Sequence, residues 1–209
     1  MARGLWHRVE MTPLRSLLVT LVAFVTTVLL AVAAPAAQAE TWRHADPRGD
    51  VVARESASED TRVDPTARRA DLTNLTVRYS AGSLRVASTI REIECFHHWE
   101  LRVVTSRGDI YQLEHSTSPF DSCTEPQVRV LRNGYRYSCA GTSVHRTPAG
   151  VVATVPRSCL GSAYRVRVGV QAQDAYGDDE EPTHVYDDAL RVGAYTERRP
   201  QLSRWIVAG

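Results

Sequence analysis

Tyr164-Arg165-Val166-Arg167-Val168-Gly169-Val170-Gln171-Ala172 decides the fold class. Side chains of an extended strand alternate between two faces. Val166, Val168 and Val170 therefore share one side, and Arg165, Arg167 and Gly169 share the other. The stretch reads as a strand with one apolar face and one wet face.

The same period recurs upstream. Leu75, Val77 and Tyr79 alternate with Thr76 and Arg78. After the turn Ala81-Gly82-Ser83, Leu84 and Val86 alternate with Arg85 and Ala87. Trp99, Leu101 and Val103 alternate with Glu100 and Arg102, which assigns Trp99 to the core. Arg107-Gly108-Asp109 turns the chain into a strand over 110–115, and Val128 and Val130 mark the next. Asn133-Gly134 is a strong two-residue hairpin signal. Strands over 135–139, 151–155 and 189–195 follow. Eight to nine short strands with no useful helical stretch predict an all-β fold, an antiparallel β-sandwich. Two regions are expected to be irregular: a polar entry segment over 40–70, and an acidic surface loop over 174–188.

The first 39 residues have the layout of a secretory signal. Arg3, Arg8 and Arg15 precede an apolar run over 17–34, which ends in Ala37-Gln38-Ala39. An uncleaved anchor is the rival, but Thr20, Thr26 and Thr27 dilute the run and its Ala-rich end favours cleavage after Ala39. The expected organisation is a signal helix over 1–39, an entry segment over 40–70 and a sandwich domain over 71–209. It predicts a secreted protein whose mature form is not membrane-embedded. The mature part is near neutral, at about −1, which argues against nucleic acid as a partner. All 25 basic residues are arginine, a coding bias that carries no function.

Export changes what the cysteines mean. Cys95, Cys123, Cys139 and Cys159 form an even set, which reads as two disulfides in an exported chain. Three connectivities exist. The sequential one is favoured because strands ending near Cys139 and before Cys159 would meet in a meander. No Cys-x-x-Cys knuckle supports zinc.

Four kinds of site are candidates. Asp46 and Asp50 lie in the turn Ala45-Asp46-Pro47-Arg48-Gly49-Asp50, Asp71 starts a strand, and Asp174 and Asp178 sit in the acidic loop. Carboxylates gathered from loops suit calcium, which takes six to eight oxygens; the competing reading is a solvated turn-forming loop. Trp42 and Tyr176 are candidates for stacking on sugar rings. His98 and Glu100 share a strand face but fall short of a zinc ligand set. No Gly-x-Ser-x-Gly elbow or His-Glu-x-x-His helix points to hydrolysis.

Val155-Pro156-Arg157-Ser158-Cys159-Leu160-Gly161, with Tyr164-Arg165-Val166-Arg167-Val168 after it, resembles a segment of a group of secreted actinobacterial proteins. The opening Ala45-Asp46-Pro47-Arg48-Gly49-Asp50-Val51 and the strand start Asp71-Leu72-Thr73 are similar to that group too. The wider pattern resembles DOMON-like and family-nine-like carbohydrate-binding sandwiches. The resemblance implies a β-sandwich with a binding role toward sugar, haem or a cation, and no catalytic residue. Met/His haem ligation is out of reach, because Met1 and Met11 both lie in the leader.

The functional expectation is a secreted, non-catalytic binding module, calcium-stabilised, with an extracellular carbohydrate or protein as partner. An enzyme inhibitor presenting a loop over 117–126 is a second expectation, and a hydrolase with an unrecognised site is a third.

Overall fold

The computed structural model describes residues 39–56, 60–93, 97–117, 127–177, 181–193 and 199–209. Residues 1–38, where a signal helix was expected, together with Cys95, Cys123, Asp178 and most of the 117–126 loop lie outside these described residues.

The strands are β1 (Glu40–Ala45), β2 (Val52–Glu55), β3 (Thr61–Val63), β4 (Leu72–Tyr79), β5 (Ser83–Ile90), β6 (His97–Thr105), β7 (Ile110–Thr117), β8 (Gln127–Arg132), β9 (Tyr135–Arg136), β10 (Ser143–Thr147), β11 (Gly150–Pro156), β12 (Arg165–Tyr176), β13 (Thr183–Asp188) and β14 (Ile206–Val207). A 3-10 turn over Arg157–Leu160 follows β11. One sheet runs β1-β4-β5-β11-β10; the other runs β3-β2-β13-β12-β6-β7-β8-β9, with β14 also on β12. All these strand pairs are antiparallel.

The two sheets close on one apolar core. Leu75, Val77, Leu84 and Val86 come from the smaller sheet, and Trp99, Leu101, Leu113, Val166, Val168 and Val170 from the larger. Trp99 is fully buried, and its indole N–H donates to Ser88 Oγ at 2.8 Å. This meets the need of a buried indole for a partner without opening the core. The sandwich-like all-β fold expected from the period-2 pattern is therefore observed.

Its strand count differs from expectation: fourteen strands are seen among the described residues, where eight or nine were expected. The expected irregular stretch over 40–70 contains β1, β2 and β3. β1 lies at a sheet edge and alternates only between half-buried and exposed positions, so it lacks the apolar signature of a central strand. The acidic stretch over 174–188 is not a surface loop throughout. Tyr176 ends β12, β13 begins at Thr183, and Asp174, Asp187 and Asp188 are all buried. Over 189–193, the described part of the further strand expected over 189–195, no strand is seen; β13 lies just before it.

Local signals held where a short-range rule governs them. Asn133 and Gly134 both take positive φ, 51° and 85°, as a two-residue hairpin between β8 and β9 requires. Cys139 and Cys159 form a disulfide closing a sequence separation of 20. Restricting a loop of that length in the unfolded chain stabilises by about 3 kcal/mol. The Cys95–Cys123 pairing falls outside the described residues.

Candidate functional site

The turn after β1 carries the chain from the smaller sheet to β2 in the larger one. Gly49 makes this passage possible. Its φ is +75°, and a Cβ there would lie 2.9 Å from the Pro65 carbonyl oxygen. A side chain would meet both strained backbone and a clash. Gly49 also donates its N–H to Asp71 Oδ2 at 3.0 Å, and Asp46 N donates to the Thr73 carbonyl at 3.2 Å. The turn is thus tied down against the start of β4.

Five carboxylates gather at this corner. Asp46 and Asp50 come from the turn, Asp71 from the residue before β4, and Asp187 and Asp188 from the end of β13. All five are buried. One oxygen each from Asp46, Asp50 and Asp187 lie within 4.8 Å of one another. Asp187 Oδ2 accepts from Leu72 N at 2.7 Å, and Asp50 Oδ2 accepts from Gly193 N at 3.3 Å. Asp71 Oδ2 is paired with Arg91 at 2.6 Å. Asp188 is occupied by Leu190 N, Gln201 N and Arg191.

Asp46 differs from its neighbours. It is only 6 % exposed, and neither of its carboxylate oxygens has a hydrogen-bond partner. Asp50 Oδ1 and Asp71 Oδ1 are likewise buried and unpartnered. Burial, followed by repulsion from Asp50, Asp188 and Asp71, pushes the Asp46 carboxyl up to about 8. Burial, followed by repulsion from Asp46, pushes Asp187 up to about 9, against the opposing Leu72 N–H. Asp50 and Asp188 are also raised, in each case chiefly by burial.

Of the residues expected to hold calcium, the fold brings together Asp46, Asp50 and Asp71. It does not bring Asp174 into the three-carboxylate set; Asp174 Oδ1 instead accepts from the next residue's N–H, that of Ala175. Asp178 is outside the described residues. Asp187 and Asp188 were missed. The adjacent pair Asp187-Asp188 was visible, but only pairing of β13 with β2 and β12 carries it to the β1–β2 turn.

The proposed stacking residues do not form a shared platform. Trp42 is half-buried in β1, packs on the core and stacks on His44 with ring centres 5.9 Å apart. Tyr176 is half-buried at the end of β12 and donates its hydroxyl to Asp64 Oδ2 at 3.2 Å.

A second feature lies on the larger sheet. Cross-strand partners share a face, so Gln171, Glu100, Glu114 and Arg129 form one row across β12, β6, β7 and β8. Gln173, His98, Ser116 and Gln127 form the next. Glu100 accepts from Gln112 Nε2 at 3.2 Å and from Gln171 Nε2 at 2.8 Å. Arg129 reaches Glu114 at 3.5 Å. At the β8 side these rows border a groove of about 680 Å³, lined by His98, Glu114, Ser116, Gln127, Arg129, Arg136 and Tyr137 among others.

No protein-family model matches this chain, and neither a curated protein nor a solved structure does. The reading of function therefore stands on the chain's own geometry.

Proposed function

We propose that the protein is an exported, non-catalytic binding domain whose groove on the larger sheet takes an extracellular polyhydroxylated ligand, a carbohydrate chain of the cell envelope or its surroundings. The groove lining carries the proposal. Ser116, Gln127 and His98 offer both donors and acceptors, Arg129 and Arg136 donate, and Glu114 accepts. Sugar hydroxyls donate and accept from neighbouring carbons, so an interleaved set of this kind can satisfy them. Tyr137 adds a ring at the edge of the same groove. Strands hold these side chains, which lowers the cost of ordering them on binding.

The disulfide fits an oxidising compartment. Among the described residues, no helix is long and apolar enough to cross a membrane.

Retention of the purified protein on insoluble polysaccharides and on isolated envelope tests the reading. Binding is expected, and it should weaken at least tenfold in Glu114→Ala and Arg129→Ala. Failure of the wild type to bind any of the matrices, or undiminished binding by both variants, would remove the groove as the ligand site.

A further inference from the structure

We propose that the corner formed by Asp46, Asp50 and Asp187 is a calcium site that fastens the two sheets together. The proposal rests on a coincidence of two independent observations. The first is convergence. Oxygens bound to one calcium at about 2.3–2.6 Å can lie no more than about 5 Å apart. The three oxygens here fall within 4.8 Å of one another. The second is the state of Asp46. It is 6 % exposed, both its oxygens lack partners, and one of them belongs to this converging set. A buried carboxylate without hydrogen bonds is costly, and a divalent cation is the partner that would relieve it.

The donor set selects the metal class. All three side chains offer oxygen, with no Cys or His in the group. Zinc and copper favour nitrogen or sulfur. Magnesium demands near-ideal octahedral geometry at about 2.0–2.1 Å and sheds water reluctantly. Calcium accepts irregular ligand sets from turns, and Asp71 Oδ1 stands unpartnered beside the group as a further acceptor. Two nearby cations are already engaged: Arg91 pairs with Asp71 and Arg191 with Asp188.

The position gives the ion a structural consequence. Asp46 follows β1 of the smaller sheet, while Asp187 is the penultimate residue of β13 in the larger one. Asp50 also accepts from Gly193 N. One ion would join the β1–β2 turn, the end of β13 and, through Asp50, the segment around Gly193. It would act at a distance from the groove, so its test is independent of carbohydrate binding.

Two measurements on the purified protein decide the matter. After chelation and desalting, titration calorimetry with calcium chloride should give one site per chain. Thermal unfolding should then shift upward by roughly 5–10 °C when calcium exceeds Kd a hundredfold, and a chelator should reverse the shift. Magnesium at the same concentration should give a much smaller shift. Asp46→Asn and Asp187→Asn should each abolish the response, while Glu181→Gln, in the neighbouring acidic loop, should retain it. Absence of both heat and shift in the wild type would overturn the proposal. So would an equal response to magnesium, or a full calcium response in folded Asp46→Asn. If either variant fails to fold, the other and the wild-type calorimetry still decide.

Discussion

Two aspartates in this molecule, Asp109 and Asp46, sit in opposite electrostatic situations. At the hairpin end, Asp109 Oδ1 accepts from Arg132 Nη2 at 3.1 Å and from Asn133 Nδ2 at 3.2 Å. Those bonds, with Arg132 foremost, hold its carboxyl below the usual range. At the β1–β2 corner, Asp46 has neither partner nor water access, and its carboxyl is driven up to about 8. The same side chain is thus a stabilising anchor in one place and a buried charge problem in the other. Donors within reach make the difference. The hairpin supplies an arginine and an amide from two adjacent residues, Arg132 and Asn133; the corner supplies more carboxylates.

The largest effect should come from removing the fully buried acid that forms the ion pair with Arg91. Asp71→Ala takes away the acceptor for Arg91 and for Gly49 N. It should destabilise the calcium-free protein by about 3 kcal/mol, read from urea unfolding. A loss under about 1 kcal/mol would show that water replaces both contacts.

Next in size is the pH dependence of the calcium-free protein. Asp46 and Asp187 bind protons more tightly folded, at about 8 and about 9, than unfolded, near 3.8. Between those values the folded state holds the extra protons, so stability should fall as pH rises from about 4 to about 9. Asp109 and Asp64 run the other way: their carboxyls are lowered, so their contribution is lost as pH drops below the ordinary carboxylate range. Melting temperature against pH without calcium should therefore peak near the acidic end and decline toward pH 9. A flat profile from pH 5 to 9 would contradict the picture of an uncompensated corner.

Smaller still is Asp46→Asn. It removes a repelled charge, so it should raise the calcium-free melting temperature at pH 8 by roughly 2–5 °C. A fall of that size would mean Asp46 has a favourable partner at the corner. The least effect is expected from Asp109→Asn, which weakens the part-buried ion pair with Arg132 and should lower the denaturant midpoint only slightly.

Legibility followed the range of the interaction concerned. Val166, Val168 and Val170 alternate because a strand alternates, and all three are buried as expected; Gly169, expected on the wet face, is buried too, because the backbone at Gln201 packs against it. Asn133-Gly134 could be read as a hairpin from two residues. Asp46, Asp50 and Asp71 drew notice because turn carboxylates near a strand start stand out. Asp187 and Asp188 did not, because they follow Thr183-His184-Val185-Tyr186, whose apolar alternation is too short to announce a buried strand. β1 escaped notice for a related reason: half of an edge strand's pattern faces solvent. The groove was equally hidden. Its row from Gln171 to Arg129 joins four strands, and no local pattern records which strands become neighbours.

By itself, then, the amino-acid order determined the element type, the apolar face of each principal strand, the Cys139–Cys159 staple and three of the five corner acids, Asp46, Asp50 and Asp71, because each depends on contacts or conformations near in the chain. Tertiary structure alone decided that β13 lies between β2 and β12. That placement brings Asp187 to Asp46, from which it is separated by most of the chain. Sheet order is set by how entire strands pack over one core, and only that packing could bury the carboxylates together.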